Sequence, residues 1–268
     1  MLRLALALSL SLLLAAPAAA SSVDGMAIHS SVQGSGKTII FVHGWTCDES
    51  GWAAQVAAFD HDYRVITLDL PGHGKSDAPA DGKFSMALFA RAIEAVRAEV
   101  GADKVVLVGH SMGAPVIRQY ALDYPQHVAG LVAVDGPLDV RSLANFPGAA
   151  EPMTLATRTA LIEGMFGPGA TPAMRAEIKG IMLGTPEATA NGAGLAMFDP
   201  AIQSNTPITA PAFTVYASKP TFAPGDAKDL LPNWNWIQFK DTGHFVMMER
   251  PAEFNAALKT FLEQRARY

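Results

Sequence analysis

Apolar residues in this chain fall into short unbroken runs, and between the runs they recur at helical spacing. The runs are Thr38-Ile39-Ile40-Phe41-Val42, RVITLD at 64–69, Val105 to Val108, Gly130 to Pro137, Pro211 to Ala217 and Asn235 to Phe239. Runs that lack polar–apolar alternation are the mark of strands buried on both faces, as in a mostly parallel sheet. Between 84 and 100 the apolar positions are Met86, Phe89, Ala90, Ile93, Val96 and Val100, with Arg91, Glu94 and Arg97 elsewhere. That spacing predicts an amphipathic helix lying on the sheet. Further helices are expected at 51–59, after residue 113, and from Pro251 to about Arg265. Strand and helix alternate, so the fold class is α/β.

The alternation breaks between 138 and 206. This stretch is rich in Gly, Pro, Ala and Thr, contains short helical candidates, and scatters Met153, Met165, Phe166, Met174, Met182, Leu183, Met197 and Phe198. It reads as a helical cap inserted into a core of residues 21–137 and 207–268. Its methionines and phenylalanines are expected partly to face an apolar ligand and partly to pack the cap itself.

Residues 1–20 carry one charge, Arg3, an apolar stretch from Leu4 to Ala16, and Ala18-Ala19-Ala20 before Ser21. This is the pattern of a secretory signal peptide, too short for a bilayer span, so the chain is expected to be exported to a periplasmic or extracellular space. No stable membrane span is expected after cleavage. The formal net charge is −5, and losing Arg3 makes it more acidic, which argues against nucleic acid as a partner. The single Cys47 forbids an intrachain disulfide and reads as a small packed thiol.

Residues 26–36 offer a short strand and a hairpin-type turn ending Gly34-Ser35-Gly36-Lys37-Thr38. The turn mimics the end of a phosphate-binding loop, but Ser31 stands where that motif needs its first glycine, and a strand follows instead of a helix.

The stretch that organises the chain is Gly109-His110-Ser111-Met112-Gly113, between an apolar run and a helical pattern. A serine at such a turn is strained, and its neighbours two positions away must lack side chains to pack so tightly. The turn exposes the Ser111 hydroxyl and puts the Met112 amide at a helix N-terminus, where negative charge is favoured. His244, in the loop after the last strand, follows Ser111 in the chain order of a nucleophile and its base.

His43-Gly44-Trp45, the segment from Asp69 to Ser76, the GHSMG turn and GHFVMMERP at 243–251 together resemble the α/β-hydrolases, in a serine esterase- or lipase-like branch with a helical cap. The resemblance implies a Ser-His-acid triad with Ser111 as nucleophile and His244 as base, and an oxyanion hole made by the amides of Trp45 and Met112. His73 then belongs to a structural loop. Two carboxylates compete for the third place: Asp135, at the end of the strand after the elbow helix, and Asp226, beyond Tyr216; Asp139 is a remoter choice. The implied reaction is hydrolysis of a small-molecule carboxylic ester or lactone with an apolar part, needing neither cofactor nor metal. Carbon–carbon bond hydrolases and cofactor-free perhydrolases share this equipment, and a non-catalytic small-ligand receptor is the reading of another class. Epoxide hydrolase and dehalogenase chemistry is disfavoured, because those relatives carry an aspartate where this chain has Ser111.

Overall fold

The structure, a computed structural model, describes residues 21–144, 152–220, 222 and 225–268. The expected signal peptide at 1–20 lies outside the described residues.

Strands β1 (Ser22–Val23) and β2 (Met26–Ala27) form a small antiparallel pair. The main sheet takes β3 (Ser30–Gln33), β4 (Thr38–Val42), β5 (Arg64–Leu68), β6 (Val105–His110), β7 (Val128–Val134), β8 (Ala212–Tyr216) and β9 (Trp234–Gln238). Its order is β3-β5-β4-β6-β7-β8-β9, and only β3 runs antiparallel to its neighbour. Every residue of β4, β6 and β7 is buried, as their unbroken apolar runs predict, whereas the edge strand β9 is largely exposed.

Helix α1 (Ala53–Phe59), α2 (Met86–Glu99), α3 (Gly113–Asp123) and the C-terminal helix Pro251–Gln264 flank the sheet. Ser85 starts α2 by accepting from the Leu88 amide, and the helix buries Met86, Phe89, Ala90, Ile93 and Val96. Its polar edge meets α3, where the Tyr120 hydroxyl donates to Glu94 at 2.7 Å. Beside α1, the fully buried Trp52 packs between Phe41 and Phe254.

Three boundaries differ from the sequence reading. The turn at 34–37 does not close a hairpin: β3 and β4 lie on opposite sides of β5, pairing with it antiparallel and parallel. Gly34 (φ +70°) carries the chain across the end of β5, where a Cβ would stand 2.2 Å from the carbonyl oxygens of Asp60 and Tyr63. The expected run 130–137 is β7 from 128 to 134, and its acid lies just past the strand. The last strand sits one residue earlier than 235–239.

Between β7 and β8 come α4 (Leu155–Gly164), α5 (Pro172–Gly184) and α6 (Glu187–Met197), the helices of the inserted cap. The buried Arg158 of α4 donates to the carbonyls of Met182 and Thr185 at the end of α5, at 2.5 and 3.2 Å. Cations favour a helix C-terminus, so this arginine fastens α4 to α5 without needing a carboxylate.

Candidate active site

The sheet delivers its chemistry at the carboxyl ends of neighbouring strands, the usual ligand edge of an open α/β sheet. At the end of β6, Ser111 adopts φ +53°, the left-handed region, at a strain of about 1–3 kcal/mol. The flanking glycines are obligatory: a Cβ on Gly109 would stand 2.3 Å from the Gly113 carbonyl oxygen, and one on Gly113 would stand 2.6 Å from that of Val42. The Ser111 amide donates to Val134 across the strand pair at 2.9 Å.

One strand over, Asp135 also has positive φ, +43°. Its amide bonds to Val215, and its Oδ1 accepts from the Ala217 amide at 3.0 Å, so the carboxylate is fixed on the β8 side. The other oxygen, Oδ2, lies 2.6 Å from His244 Nδ1, with both groups buried. Gly136 then has to lie flat on the elbow, because a Cβ there would be 2.4 Å from the Ser111 carbonyl oxygen. An ionised carboxylate only accepts, so Asp135 holds the His244 proton on Nδ1 and leaves Nε2 as the basic nitrogen.

The His244 backbone is held as well. Its amide donates to Met165 of the cap at 2.8 Å, and its carbonyl accepts from His110 Nε2 at 3.0 Å. The two imidazoles lie 4.6 Å apart. Burial, then the charge of His244, push His110 well below the usual histidine range, so it stays neutral beside the candidate base.

The sequence reading left two main carboxylates open, and the structure brings only one of them to His244. Asp226 is exposed, accepts from the Lys228 amide at 3.3 Å, and lines an open groove with Trp234 and Phe261. Asp139 is paired with Arg141 at 2.8 Å.

On the other side of Ser111 stands the loop His43-Gly44-Trp45. His43 Nε2 accepts from the Leu70 amide at 2.9 Å, so Nδ1 carries the proton and donates to the Gly44 carbonyl at 2.8 Å. In a trans peptide the carbonyl and the next N–H point in opposite directions, so this bond turns the Trp45 amide away from His43. Gly44 permits the approach: a Cβ there would lie 3.1 Å from the Ser111 Cβ. Neither the Trp45 nor the Met112 amide has an acceptor among the described residues.

The cap grips this loop. Trp45 Nε1 donates to the Ala190 carbonyl at 2.7 Å, Thr185 Oγ1 donates to the Thr46 carbonyl at 2.9 Å, and the Arg158 guanidinium lies 5.9 Å from the Trp45 ring centre. Thr46 itself is at φ +57°, a conformation that a β-branched residue keeps only when its surroundings impose it.

Ser111, His244 and Trp45 open into one cavity of about 300 Å³. Met153, Met165, Met182, Met197 and Phe198 line it, while Phe166 instead stacks on Phe245. Leu161 and Leu195, 43% and 41% exposed, mark where it meets solvent. No Lys, Arg, Asp or Glu occurs among the described residues that line it. Cys47 also lines the cavity, but burial, followed by the charge of Asp48, pushes its thiol up to about 12, so it is not a thiolate at neutral pH.

His29, Glu49 and Asp69 bring ligand-type atoms within 4.8 Å of one another, outside this cavity. Lys75 Nζ stands 3.1 Å from His29 Nε2 and 3.2 Å from Glu49 Oε1, and Asp69 accepts from the amides of Glu49 and Lys75. Burial would push the Glu49 carboxyl up; bonds from Ser31, Thr67, His29 and Lys75 outweigh it and bring it down to about 2. The donor set is that of an ion-pair network bracing the loop 69–77. His73 is buried in the same loop, 5.0 Å from the His43 ring.

Sequence reasoning missed Glu249. Its buried carboxylate accepts from the amides of Gly167 in the cap and Gly243 beside the base, each at 3.0 Å. Thr185 and Arg158 were missed for the same reason: all three side chains bind backbone groups, which leave no mark in a side-chain pattern.

A family model described as the alpha/beta hydrolase fold matches residues 37–177. The chain is 29% identical over 90% of its length to an acetoin-cleaving system dihydrolipoyllysine-residue acetyltransferase component of Cupriavidus necator, covering 68% of that protein. It is 28% identical over 89% of its length to a 2-hydroxy-6-oxononadienedioate/2-hydroxy-6-oxononatrienedioate hydrolase of Paraburkholderia phymatum, covering 92% of it. Among solved structures, an N-acyl homoserine lactone degrading enzyme superposes with a TM-score of 0.79 at 25% identity, covering 91% of this chain and all of the other. The family match spans more than half of the chain, and a mostly parallel seven-stranded sheet carries a serine elbow at its carboxyl edge: the protein belongs to the alpha/beta hydrolase fold family.

Proposed function

We propose that the protein is an exported serine hydrolase of neutral carboxylic esters or lactones with an apolar part. The observation that carries this reading is the 2.6 Å bond from the buried Asp135 to His244, which lines the same cavity as Ser111. Ser111 Oγ attacks the carbonyl while His244 Nε2 takes its proton, and Asp135 stabilises the imidazolium that forms. The amides of Trp45 and Met112 receive the oxyanion, His244 returns the proton to the leaving alcohol, and water then clears the acyl-enzyme by the same steps. In this reading the leader is residues 1–20, the core 21–137 and 207–268, and the cap 138–206.

The cavity favours this substrate class over the dienedioates named for the Paraburkholderia relative. A dicarboxylate entering an apolar cavity needs cationic partners, and none occurs among the described lining residues. Arg158 lies behind the Trp45 ring, outside the lining, with Nη2 committed to the Met182 and Thr185 carbonyls. The lactone of the N-acyl homoserine lactone degrading enzyme is uncharged at its acyl end and suits such a lining.

The test is a panel of chromogenic esters and of lactones, run beside Ser111→Ala and with a serine-directed fluorophosphonate. Turnover and labelling that both vanish in Ser111→Ala support the reading. Saturable ligand binding without turnover, unchanged in Ser111→Ala, would instead make the protein a receptor.

A further inference from the structure

The polar side chains of the cavity are nearly all spoken for. Trp45 Nε1 is bonded to Ala190, His110 Nε2 to the His244 carbonyl, and the Thr157 hydroxyl to that of Thr154 at 3.0 Å. Ser111 and His244 are the reacting pair. That leaves His110 Nδ1, a buried acceptor when Nε2 donates, and one side-chain donor group, on Asn191 of α6, on the helix face that also brings Gly194, Leu195 and Phe198 to the cavity.

Asn191 Oδ1 accepts from the Met153 amide at 2.8 Å. An oxygen facing an N–H fixes which way the carboxamide is turned, so Nδ2 occupies the other position. It has no acceptor among the described residues, and it is not one of the buried polar atoms sealed off from solvent. A strong donor thus stands in a lining whose other residues are mostly apolar, with methionine, leucine and phenylalanine prominent among them. Such a group discriminates sharply: a ligand that offers an acceptor satisfies it, and a ligand that covers it with methylene leaves it dehydrated and unpaired.

We propose that Asn191 is a specificity-determining residue that donates to a second acceptor on the substrate, a ketone or amide carbonyl set back from the scissile bond. The substrate class narrows accordingly, from any apolar ester or lactone to neutral ones that carry an oxo or acylamino group. This rests on the reading of Ser111 as nucleophile only in calling the ligand a substrate; recognition of the acceptor is a property of the cavity.

The experiment compares p-nitrophenyl heptanoate with its 4-oxo, 5-oxo and 6-oxo derivatives. In the native protein one oxo position is expected to raise kcat/KM about 5- to 10-fold over the parent, the size of one net hydrogen bond. The ratio is then measured within Asn191→Asp, which keeps an acceptor for the Met153 amide but removes the donor, and within Asn191→Ala. In both, the oxo advantage should fall to within about twofold, and because each ratio is internal to one variant, general damage to the cap cancels. No oxo preference in the native protein, or the same preference in all three, overturns the proposal. Calorimetric binding of the same esters to Ser111→Ala and to Ser111→Ala with Asn191→Asp separates the two readings. An oxo preference there that disappears with Asn191→Asp upholds the recognition even if no ester is hydrolysed.

Discussion

Gly167 of the cap and Gly243 beside the base meet backbone to backbone: a Cβ on either would stand 2.0 or 2.1 Å from the other's amide nitrogen. Two N–H groups brought so close repel unless one acceptor serves both, and the Glu249 carboxylate does so at 3.0 Å each. One bond further on, the His244 amide reaches Met165. The cap is therefore fastened to the base loop by a buried carboxylate, as it is fastened to the Trp45 loop by Thr185 and Ala190. Candidate base and oxyanion donor both lean on the inserted helices.

Glu249→Gln should loosen this joint. The carboxamide has one acceptor oxygen for two amides and turns an N–H against the other, leaving a buried donor unpaired at a cost of about 1–3 kcal/mol. A lower thermal midpoint together with a lower kcat, with Glu249→Asp intermediate, is expected. Unchanged kcat alongside a lowered midpoint would make the joint purely structural.

Asp135→Asn should keep the fold and lose turnover by about 10⁴-fold, because the amide can present a donor to Nδ1 and so favours the wrong histidine tautomer. Asp226→Asn, at an exposed carboxylate, should stay within about twofold of the native rate. Steady-state kinetics on one ester decides it, and the reverse order of effects would unseat Asp135.

Thr185→Val removes the hydroxyl that holds the Thr46 carbonyl, at nearly constant volume. A loop with Thr46 at positive φ then loses one of its restraints, and the Trp45 amide loses its aim. Losing one oxyanion donor outright costs about 10²–10³ in kcat; misaiming it should cost about tenfold, in kcat more than in KM. Thr185→Ser, which keeps the donor, should recover most of the rate. A change confined to KM would mean that Thr185 shapes the cavity only.

How much of this was legible in the sequence depended on whether an interaction leaves a side-chain signature. The elbow is legible because Gly109 and Gly113 are forced by backbone carbonyls 2–3 Å from where a Cβ would go. Buried strands are legible as unbroken apolar runs. The place of β3 is not, since Ser30 to Gln33 has half-exposed and exposed positions that suit an edge without saying which edge, and pairing across β5 is a long-range choice. Asp135 and Asp226 look alike along the chain; only the parallel register of β7 against β8, Val134 beside Val215, carries Asp135 to Ala217 and His244. Glu249, Thr185 and Arg158 bind backbone atoms, so their sequence context carries no sign of them.

The last prediction concerns acid. His43, His73 and His110 are buried in neutral form, and burial lowers all three, His73 to about 3 with the charge of His43 as the next cause. A histidine with a depressed folded pKa binds its proton more tightly when unfolded. Its contribution is therefore complete above about 6.5 and is lost as pH falls from there through the folded value, which for His73 is about 3, at up to about 1.4 kcal/mol per pH unit for each group. Protonation of His43 would also replace the lone pair that accepts the Leu70 amide, setting two N–H groups against each other in a buried position. Urea midpoints measured from pH 7 to pH 4 should fall steeply, and His73→Gln, which cannot take up that proton, should show a shallower slope whatever its stability at pH 7. A flat native profile over that window, or an unchanged slope in His73→Gln, would mean that the buried imidazoles do not govern the acid limb.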